Sequence, residues 1–270
     1  MTLVVKIGGE VVGSGEAISL AADLRTLIDG GAQVAIVHGG GPQATALQKQ
    51  LGIETVQVAG RRVTDAATLD VMKMAIAGKL NVDLCAILAA AGVRAVGLHG
   101  ASGLVVQAVR RPPKVYQGGG PDPVDLGHVG DVTGFNLELL RLLWSGGYTP
   151  VLACLGADAE GNVYNINADT VGNQLAAALQ AERLFLITSA PGVLRDINDP
   201  SSRLPRLTRA EAKQAIADKV VTGGMIAKLD EAMAVVDQGV GAIHILGKLA
   251  AGDLVRAVRE PGSVGTTIVP

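Results

Sequence analysis

Aromatic side chains are scarce: Phe, Tyr and Trp together make up 2% of the 270 residues. So few rings offer no stacking platform for bases, which argues against a single-stranded nucleic-acid binder. An excess of charge of one sign is also missing. Lys and Arg number 23 against 25 Asp and Glu, a formal net charge of −2. That balance gives no electrostatic case for nucleic acid or an anionic membrane surface. Cysteine is limited to Cys85 and Cys154, in helix-like and strand-like apolar contexts. They read as buried free thiols in a reducing compartment rather than as a disulfide framework. Four scattered histidines and two isolated cysteines make no metal-ligand spacing. Long apolar runs are lacking too, since Ala, Gly and charges break every stretch before membrane-spanning length. The start, Met1-Thr2-Leu3-Val4-Val5-Lys6, has neither the basic region nor the cleavage site of a signal peptide. The expectation is a cytoplasmic protein without a membrane or nucleic-acid partner.

Apolar residues and glycine are plentiful: 49% of the chain is hydrophobic, and it holds 36 glycines. That length and content suffice for one large α/β domain or two lobes with a substantial core. β-Branched runs at Leu3–Ile7, Gln33–Val37, Ala95–Leu98, Thr149–Ala153, Arg183–Thr188, Ala242–Leu246 and Thr266–Val269 read as strands. Between them, Glu16–Asp29, Pro42–Leu51, Asp65–Ala77, Leu80–Ala91, Leu137–Trp144, Ala168–Leu179, Thr208–Ala217 and Met225–Gln238 read as helices. In the first helix Ile18, Ala21, Leu24, Leu27 and Ile28 are expected to form one buried face. Strands apolar throughout and separated by helices predict a mainly parallel sheet covered on both sides. Gly30-Gly31, Gly92, Gly146-Gly147 and Gly239 stand where helices should stop. Residues 100–134 break the rhythm with short β runs at Leu104–Val109, Val115–Tyr116 and His128–Thr133 between Pro and Gly clusters. They predict hairpins projecting from the sheet, as a lid or a plain surface excursion. No linker divides the chain, so two lobes sharing one sheet are expected.

Two glycine-rich turns follow strand candidates: Lys6-Ile7-Gly8-Gly9 and His38-Gly39-Gly40-Gly41-Pro42. Glycine allows close backbone approach, and bare N–H groups beside a lysine suit an anion such as phosphate. Pro42 is a favoured first residue of a helix, whose dipole would act at the same point. Gly60-Arg61-Arg62-Val63-Thr64-Asp65 offers a guanidinium for a carboxylate, with Asp65 as a helix N-cap. In Tyr164-Asn165-Ile166-Asn167-Ala168-Asp169, alternation puts both asparagines on one side and lets Asp169 open a helix. Two amides and a carboxylate converging in a core are costly unless they bind something; the alternative is an Asx-turn with an N-cap. Thr222-Gly223-Gly224-Met225-Ile226-Ala227-Lys228 is a third glycine pair leading into a helix, with Lys228 one turn in. No P-loop, protein-kinase set or Gly-x-Ser-x-Gly elbow occurs. Gly39-Gly40-Gly41-Pro42-Gln43-Ala44 formally fits a dinucleotide fingerprint, but Arg61 and Arg62 stand where its acidic ribose contact belongs. An NADP-binding oxidoreductase is the rival reading; it leaves the asparagines and Lys228 unexplained.

The ordered set of these motifs resembles the amino acid kinase family along nearly the whole chain. Gly78-Lys79-Leu80-Asn81 and Asp125-Leu126-Gly127-His128-Val129-Gly130-Asp131-Val132 belong to the same set. The resemblance implies a three-layer αβα sandwich. Residues 1–180 would form an acyl-substrate lobe, with hairpins near 100–134, and residues 181–270 a nucleotide lobe. It implies transfer of phosphoryl from ATP, with Mg²⁺ carried mainly on the phosphates, to the side-chain carboxylate of N-acetyl-L-glutamate in arginine biosynthesis. An acetylaminoadipate or carrier-protein-linked acceptor is the alternative, and a catalytically inactive ligand sensor is argued against by both lysines and Asp169. By the same resemblance Lys6 and Lys228 neutralise the phosphoryl group, Asp169 orients them, and Gly9 and Gly40 hold the moving oxygens. Gly40, Gly41, Arg62, Asn165 and Asn167 would bind substrate. Lys6, Gly8, Gly9, Thr188, Gly192, Gly223, Met225 and Lys228 would bind nucleotide, and no protein metal ligand is expected.

The chain departs from the family's habits in three places. Thr188-Ser189-Ala190-Pro191-Gly192 lacks the carboxylate of Thr-Asp-Val-Pro-Gly. His99-Gly100-Ala101-Ser102-Gly103 lacks the two charges of Ser-Gly-Lys-Asp-Gly, and Glu10 replaces a frequent asparagine. Because the sequence opens at the first strand rather than at an N-terminal helix, a homodimer without arginine feedback is expected, with Thr68–Ala77 as candidate contact face.

Overall fold

The computed structural model describes residues 1–116, 118–196, 198–221 and 224–270. In chain order it runs β1 (Thr2–Ile7), α1 (Gly9–Val12), α2 (Glu16–Asp29), β2 (Gln33–His38), α3 (Gly41–Gln50), β3 (Gln57–Val58), β4 (Arg61–Arg62) and α4 (Ala66–Met72). A π-helical stretch, Lys73–Leu80, joins α4 to α5 (Asn81–Ala90). Then come β5 (Ala95–Leu98), β6 (Val106–Arg110), β7 (Gly130–Phe135), α6 (Leu137–Ser145), β8 (Thr149–Ala153), β9 (Leu155–Ala157) and β10 (Val163–Asn165). The chain ends with α7 (Ala168–Ala178), β11 (Arg183–Ile187), β12 (Arg206–Thr208), α8 (Arg209–Ala217), α9 (Gly224–Val236), β13 (Ala242–Leu246), α10 (Asp253–Arg259) and β14 (Thr266–Val269).

Among the described residues, eight strands form one sheet in the order β12-β14-β13-β11-β1-β2-β8-β5. Every neighbouring pair is parallel except β13–β14. Alternation along β1 divides the core. Leu3, Val5 and Ile7 pack with Leu20, Leu24, Leu84, Leu88 and Leu254, from α2, α5 and α10, on one face. Val4 packs with Val37, Leu152, Val171, Leu175, Leu229 and Met233, under α7 and α9, on the other. Each such fully buried aliphatic side chain stabilises by about 1.5–3 kcal/mol. The expected parallel sheet with helices on both faces is what forms. β1 sits mid-sheet, with β2 on one side and β11 on the other. The chain winds outward in both directions from there, and ligands of open α/β sheets bind beyond the strand ends at such a point.

Local expectations fare differently. Gly31, Gly92, Gly147 and Gly239 adopt positive φ after their helices, as C-terminal glycines do. In α2 the buried face is Ala17, Leu20, Ala21, Leu24 and Leu27, whereas Ile18 is 67% exposed. Ile18 lies one step, about 100°, off that stripe. The two helices predicted at Asp65–Ala77 and Leu80–Ala91 are one continuous helical rod, 66–90. The π-type stretch absorbs Gly78 where a break was read. The predicted β run Val115–Tyr116 is irregular chain after Pro112-Pro113, held by the isolated Lys114–Val124 bridge. The other two runs become β6 and β7. They pair antiparallel and, with β9 and β10, form a second, four-stranded sheet separate from the main one, β10-β9-β6-β7. No helix is long and apolar enough to cross a membrane among the described residues.

Candidate active site

Lys6 follows Val4 on the α7 face of β1 and is 8% exposed. A lysine there needs a partner, because a buried lone ammonium is strongly disfavoured. The partner is Asp169, whose Oδ1 lies 2.7 Å from Lys6 Nζ. Asp169 is the second residue of α7, and the amide of Asn167 caps that helix by accepting from Asp169 N–H at 3.0 Å. The N-cap expected of this segment is therefore Asn167 itself. Gly172, one turn on, lets α7 pass close over the strand, since a Cβ there would come within 3.1 Å of Lys6 Cβ. From α9, Lys228 Nζ donates to Asp169 Oδ2 at 3.2 Å. One carboxylate thus bridges two ammonium groups from opposite ends of the chain. Burial alone would raise the Asp169 carboxyl, but Lys6 and Lys228 outweigh it and hold its pKa below the ordinary value.

The glycine turns meet beside this bridge. A Cβ on Gly9 would lie 2.8 Å from Gly40 Cα and 3.0 Å from Gly40 N, so the two backbones touch as only glycine permits. Gln43, in the first turn of α3, locks them together by donating from Nε2 to the Gly9 carbonyl at 2.7 Å. Neither the Gly9 nor the Gly40 N–H has an acceptor in the described hydrogen-bond network. A cavity of about 240 Å³ opens here, lined by Lys6, Gly8, Gly9, Gly40, Gly41 and Asn167 among others. Unpaired N–H groups, a helix start and a lysine make it an anion cradle.

A larger cavity, about 790 Å³, shares Asn165, Ile166 and Asn167 with the first. Arg62 lines it, with its guanidinium fixed by Thr45 Oγ1 at 2.7 Å, the Gly41 carbonyl at 3.2 Å and Gln48 Oε1. Asn165 donates to buried Thr64 Oγ1 at 3.1 Å, and Asp65 caps α4 by accepting from Thr68 N–H, as read from the sequence. Arg61, which the sequence offers beside Arg62, is joined in a cationic wall by Arg111, Lys114 and Tyr116, which sequence reasoning missed. Arg61 sits 4.9 Å over the Tyr116 ring, and Arg111 is held at 2.6 Å by Asp131. The signal was available in the Arg110-Arg111-Pro112-Pro113-Lys114 run, a block of charge inside the irregular excursion.

A third cavity, about 540 Å³, is lined by Gly192 and Met225, together with Ala190, Pro191, Lys219 and Val221. Thr188 is not part of this lining. It is buried, and its N–H is bonded to the Leu246 carbonyl at 2.8 Å. Gly223 lies outside the described residues.

A sheet of this order, with an anion cradle at its strand ends and two lysines joined through one carboxylate beside it, is the arrangement of a phosphoryl-transfer protein. The model of the amino acid kinase family matches residues 1–247, and the chain belongs to that family. An acetylglutamate kinase of Anaeromyxobacter dehalogenans (strain 2CP-C) is 64% identical over 267 residues, covering 99% of each chain. Acetylglutamate kinase of Methanocaldococcus jannaschii is 40% identical over 268 residues, covering 98% of this chain and 89% of that one. Among solved structures, N-acetylglutamate synthase of Neisseria gonorrhoeae, complexed with coenzyme A and N-acetyl-glutamate, superposes with a TM-score of 0.83 at 26% identity. All of this chain is covered there, but only 59% of the synthase.

Proposed function

We propose that this protein transfers the γ-phosphoryl group of ATP to the side-chain carboxylate of N-acetyl-L-glutamate, giving N-acetyl-L-glutamyl 5-phosphate and ADP. The observation that carries the reading is the Lys6–Asp169–Lys228 bridge beside the Gly9–Gly40 contact. The choice of acceptor is supported by relatives up to 64% identical over almost their whole length. Family kinship argues for ATP over a dinucleotide as the nucleotide bound.

A carboxylate nucleophile is already deprotonated, so the chemistry needs alignment and charge neutralisation rather than a strong base. Lys6 and Lys228 stabilise charge on the transferring phosphoryl group and the ADP leaving oxygen. Asp169 orients both ammonium groups and keeps them desolvated but paired. The N–H groups of Gly9 and Gly40 hold the moving oxygens, and Gly8 and Gly41 keep the cradle open. Arg62 binds the α-carboxylate of the acceptor, with Asn165 and Asn167 beside the acetamido group and the reacting end. Gly192 and Met225 seat the nucleotide in the third cavity. Thr188 and Gly223 are assigned to the same ligand, Thr188 through the backbone that supports the loop. Mg²⁺ would be carried mainly by the ATP phosphates, where it would offset their negative charge, since such sites give it few protein ligands. The acyl lobe corresponds to residues 1–180 and the nucleotide lobe to 181–270. The active form is proposed to be a cytoplasmic homodimer; Met74 and Val82 leave apolar surface on the helical rod for the contact.

A coupled ADP-release assay with acetylglutamate, glutamate, acetylaminoadipate and aspartate tests the reading. Turnover is expected with acetylglutamate and to be far weaker with the others. Preference for acetylaminoadipate would lengthen the acceptor, and binding without ADP release would replace the kinase by a sensor. Arg62→Ala is expected to raise KM for acetylglutamate by about 10- to 100-fold, the loss of a charge-assisted bidentate contact, with kcat much less changed. Steady-state kinetics varying each substrate separates the two.

Asp169→Asn should also lower folding stability, by about 2–4 kcal/mol, because two partly buried ammonium groups lose their counter-ion. The depressed carboxyl sets the sign of the pH dependence. Its contribution is complete above the unfolded carboxyl value of about 4 and is lost as pH falls through the lower folded value. Urea unfolding of both proteins should therefore differ most near neutrality and converge in acid. A constant difference down to strongly acidic pH would contradict the assignment.

A further inference from the structure

The mechanism above leaves His38 without a task, although it ends β2 directly before the Gly39-Gly40-Gly41 turn. It is fully buried and stands in register with Ile7. Its ring has two partners. Nε2 lies 2.9 Å from Asn81 Nδ2, and Nδ1 lies 3.0 Å from the Gly39 carbonyl oxygen. Asn81 determines which ring nitrogen carries the proton. Its Nδ2 also faces the Val151 carbonyl at 3.1 Å. A carbonyl only accepts, so the amide nitrogen must be on that side, and an amide nitrogen only donates. Nε2 is therefore the acceptor, and the neutral ring carries its proton on Nδ1, where it donates to the Gly39 oxygen. Burial lowers the pKa of His38, against the opposing pull of the Gly39 carbonyl, which favours the neutral ring at neutral pH.

The Gly39 carbonyl and the Gly40 N–H belong to one planar trans peptide and point in opposite directions. Fixing one therefore aims the other. Gly40 N is the group that meets the Gly9 backbone and lines the anion cradle. Asn81 is held in turn, because it is buried at the start of α5 and packs so tightly on Gly97 that no Cβ fits between them. The Gly78-Lys79-Leu80-Asn81 motif, whose Leu80 already packs against Gly40, thereby gains a polar connection to the cradle.

We propose that His38 is a positioning residue for phosphoryl transfer: held by Asn81 as its Nδ1–H tautomer, it pins the Gly39–Gly40 peptide so that the Gly40 N–H faces the transferring oxygens. This rests on the kinase reading given above.

The tautomer is tested in the unmodified protein by nitrogen NMR after ¹⁵N-histidine labelling, with the His38 signals assigned by their loss in His38→Asn. A protonated Nδ1 and bare Nε2 are expected, and the opposite tautomer would overturn the proposal whatever the variants do. Kinetics supplies the second arm. Asparagine sets an amide nitrogen near the place of Nδ1 and keeps the donor to Gly39, whereas glutamine reaches only toward Nε2. His38→Gln is expected to lower kcat by about 10- to 100-fold, the scale of a misaimed transition-state donor, with both KM values within about 2-fold. His38→Asn should recover kcat to within about 3-fold of the parent protein. Asn81→Asp offers only an acceptor to Nε2, demands the other tautomer, and should match the glutamine variant. Unchanged kcat in His38→Gln, or equal losses in the Asn and Gln variants, would overturn the proposal while leaving an active parent enzyme. A parent protein that releases no ADP with any acceptor would instead refute the kinase reading itself.

Discussion

Replacing Lys6 by methionine is expected to lower kcat by about 10²-fold or more, the scale of a lost transition-state donor, and Lys228→Met should do the same. Methionine is chosen because Lys6 is nearly enclosed, and a side chain of similar length keeps its place filled against Gly172 and α7. A 10²-fold loss corresponds to about 2.7 kcal/mol of transition-state stabilisation. The two lysines should not act independently. Burial pushes the Asp169 carboxyl upward, and the charge and hydrogen bonds of Lys6 and Lys228 both pull it down. Removing either weakens that hold, so the carboxylate orients the remaining lysine less firmly. The double variant is then expected to lose less than the product of the single losses, as groups acting as a unit do. KM for acetylglutamate should change little, because neither lysine touches the α-carboxylate end in the proposed arrangement. Near-normal turnover in either single variant would sink the assigned roles.

The sequence carries the fold where one physical signal dominates. Strands such as Thr149–Ala153 and Ala242–Leu246 are mostly apolar and buried at every position because the sheet is covered on both faces, and their observed bounds match the reading. The second sheet was harder to read. β9 and β10 span three residues each, too few for a periodic pattern. The helix α10 follows Gly252, an N-cap with positive φ and no side chain to cap with, and its first turn is capped from a distance. Buried Asp23 on α2 accepts from Gly252 N–H at 2.7 Å and Leu254 N–H at 2.8 Å, a signal more than 200 residues away in the chain. The same distinction runs through the candidate site. Lys6, Asp169 and Lys228 stand out because charge beside glycine turns and apolar helices is unusual locally. Arg111, Lys114 and Tyr116 sit in irregular chain, and only tertiary folding brings them opposite Arg62. Gln43 was noticed only as a letter in a glycine motif, yet it bonds the two turns together.

The contact between those turns supports the second large effect. Gly9→Ala is expected to lower kcat by about 10²-fold, a loss typical of a misplacement on the order of 1 Å. The added Cβ would stand 2.8 Å from both Gly40 Cα and Gln43 Oε1. Neither neighbour can yield cheaply. Gly40 is backbone, and Gln43 is tied to the Gly9 carbonyl by its other amide atom. Gln43 Oε1 is already buried without a partner, so turning the amide would put its nitrogen against the new methyl and break the bond to Gly9. The strain should instead push the Gly40 peptide outward and carry its N–H away from the phosphoryl oxygens. Overall stability should fall less, because the sheet residues beneath are untouched. Gly15→Ala supplies the comparison: its Cβ would meet nothing within 4 Å, and its backbone is already right-handed helical. That variant should keep parental kcat and gain slightly in stability by restricting the unfolded chain. Measured together by ADP release and thermal melting, the pair separates cradle geometry from the general effect of adding a methyl group. Equal kcat in the Gly9 and Gly15 variants would mean that the two glycine turns need not touch for phosphoryl transfer to occur.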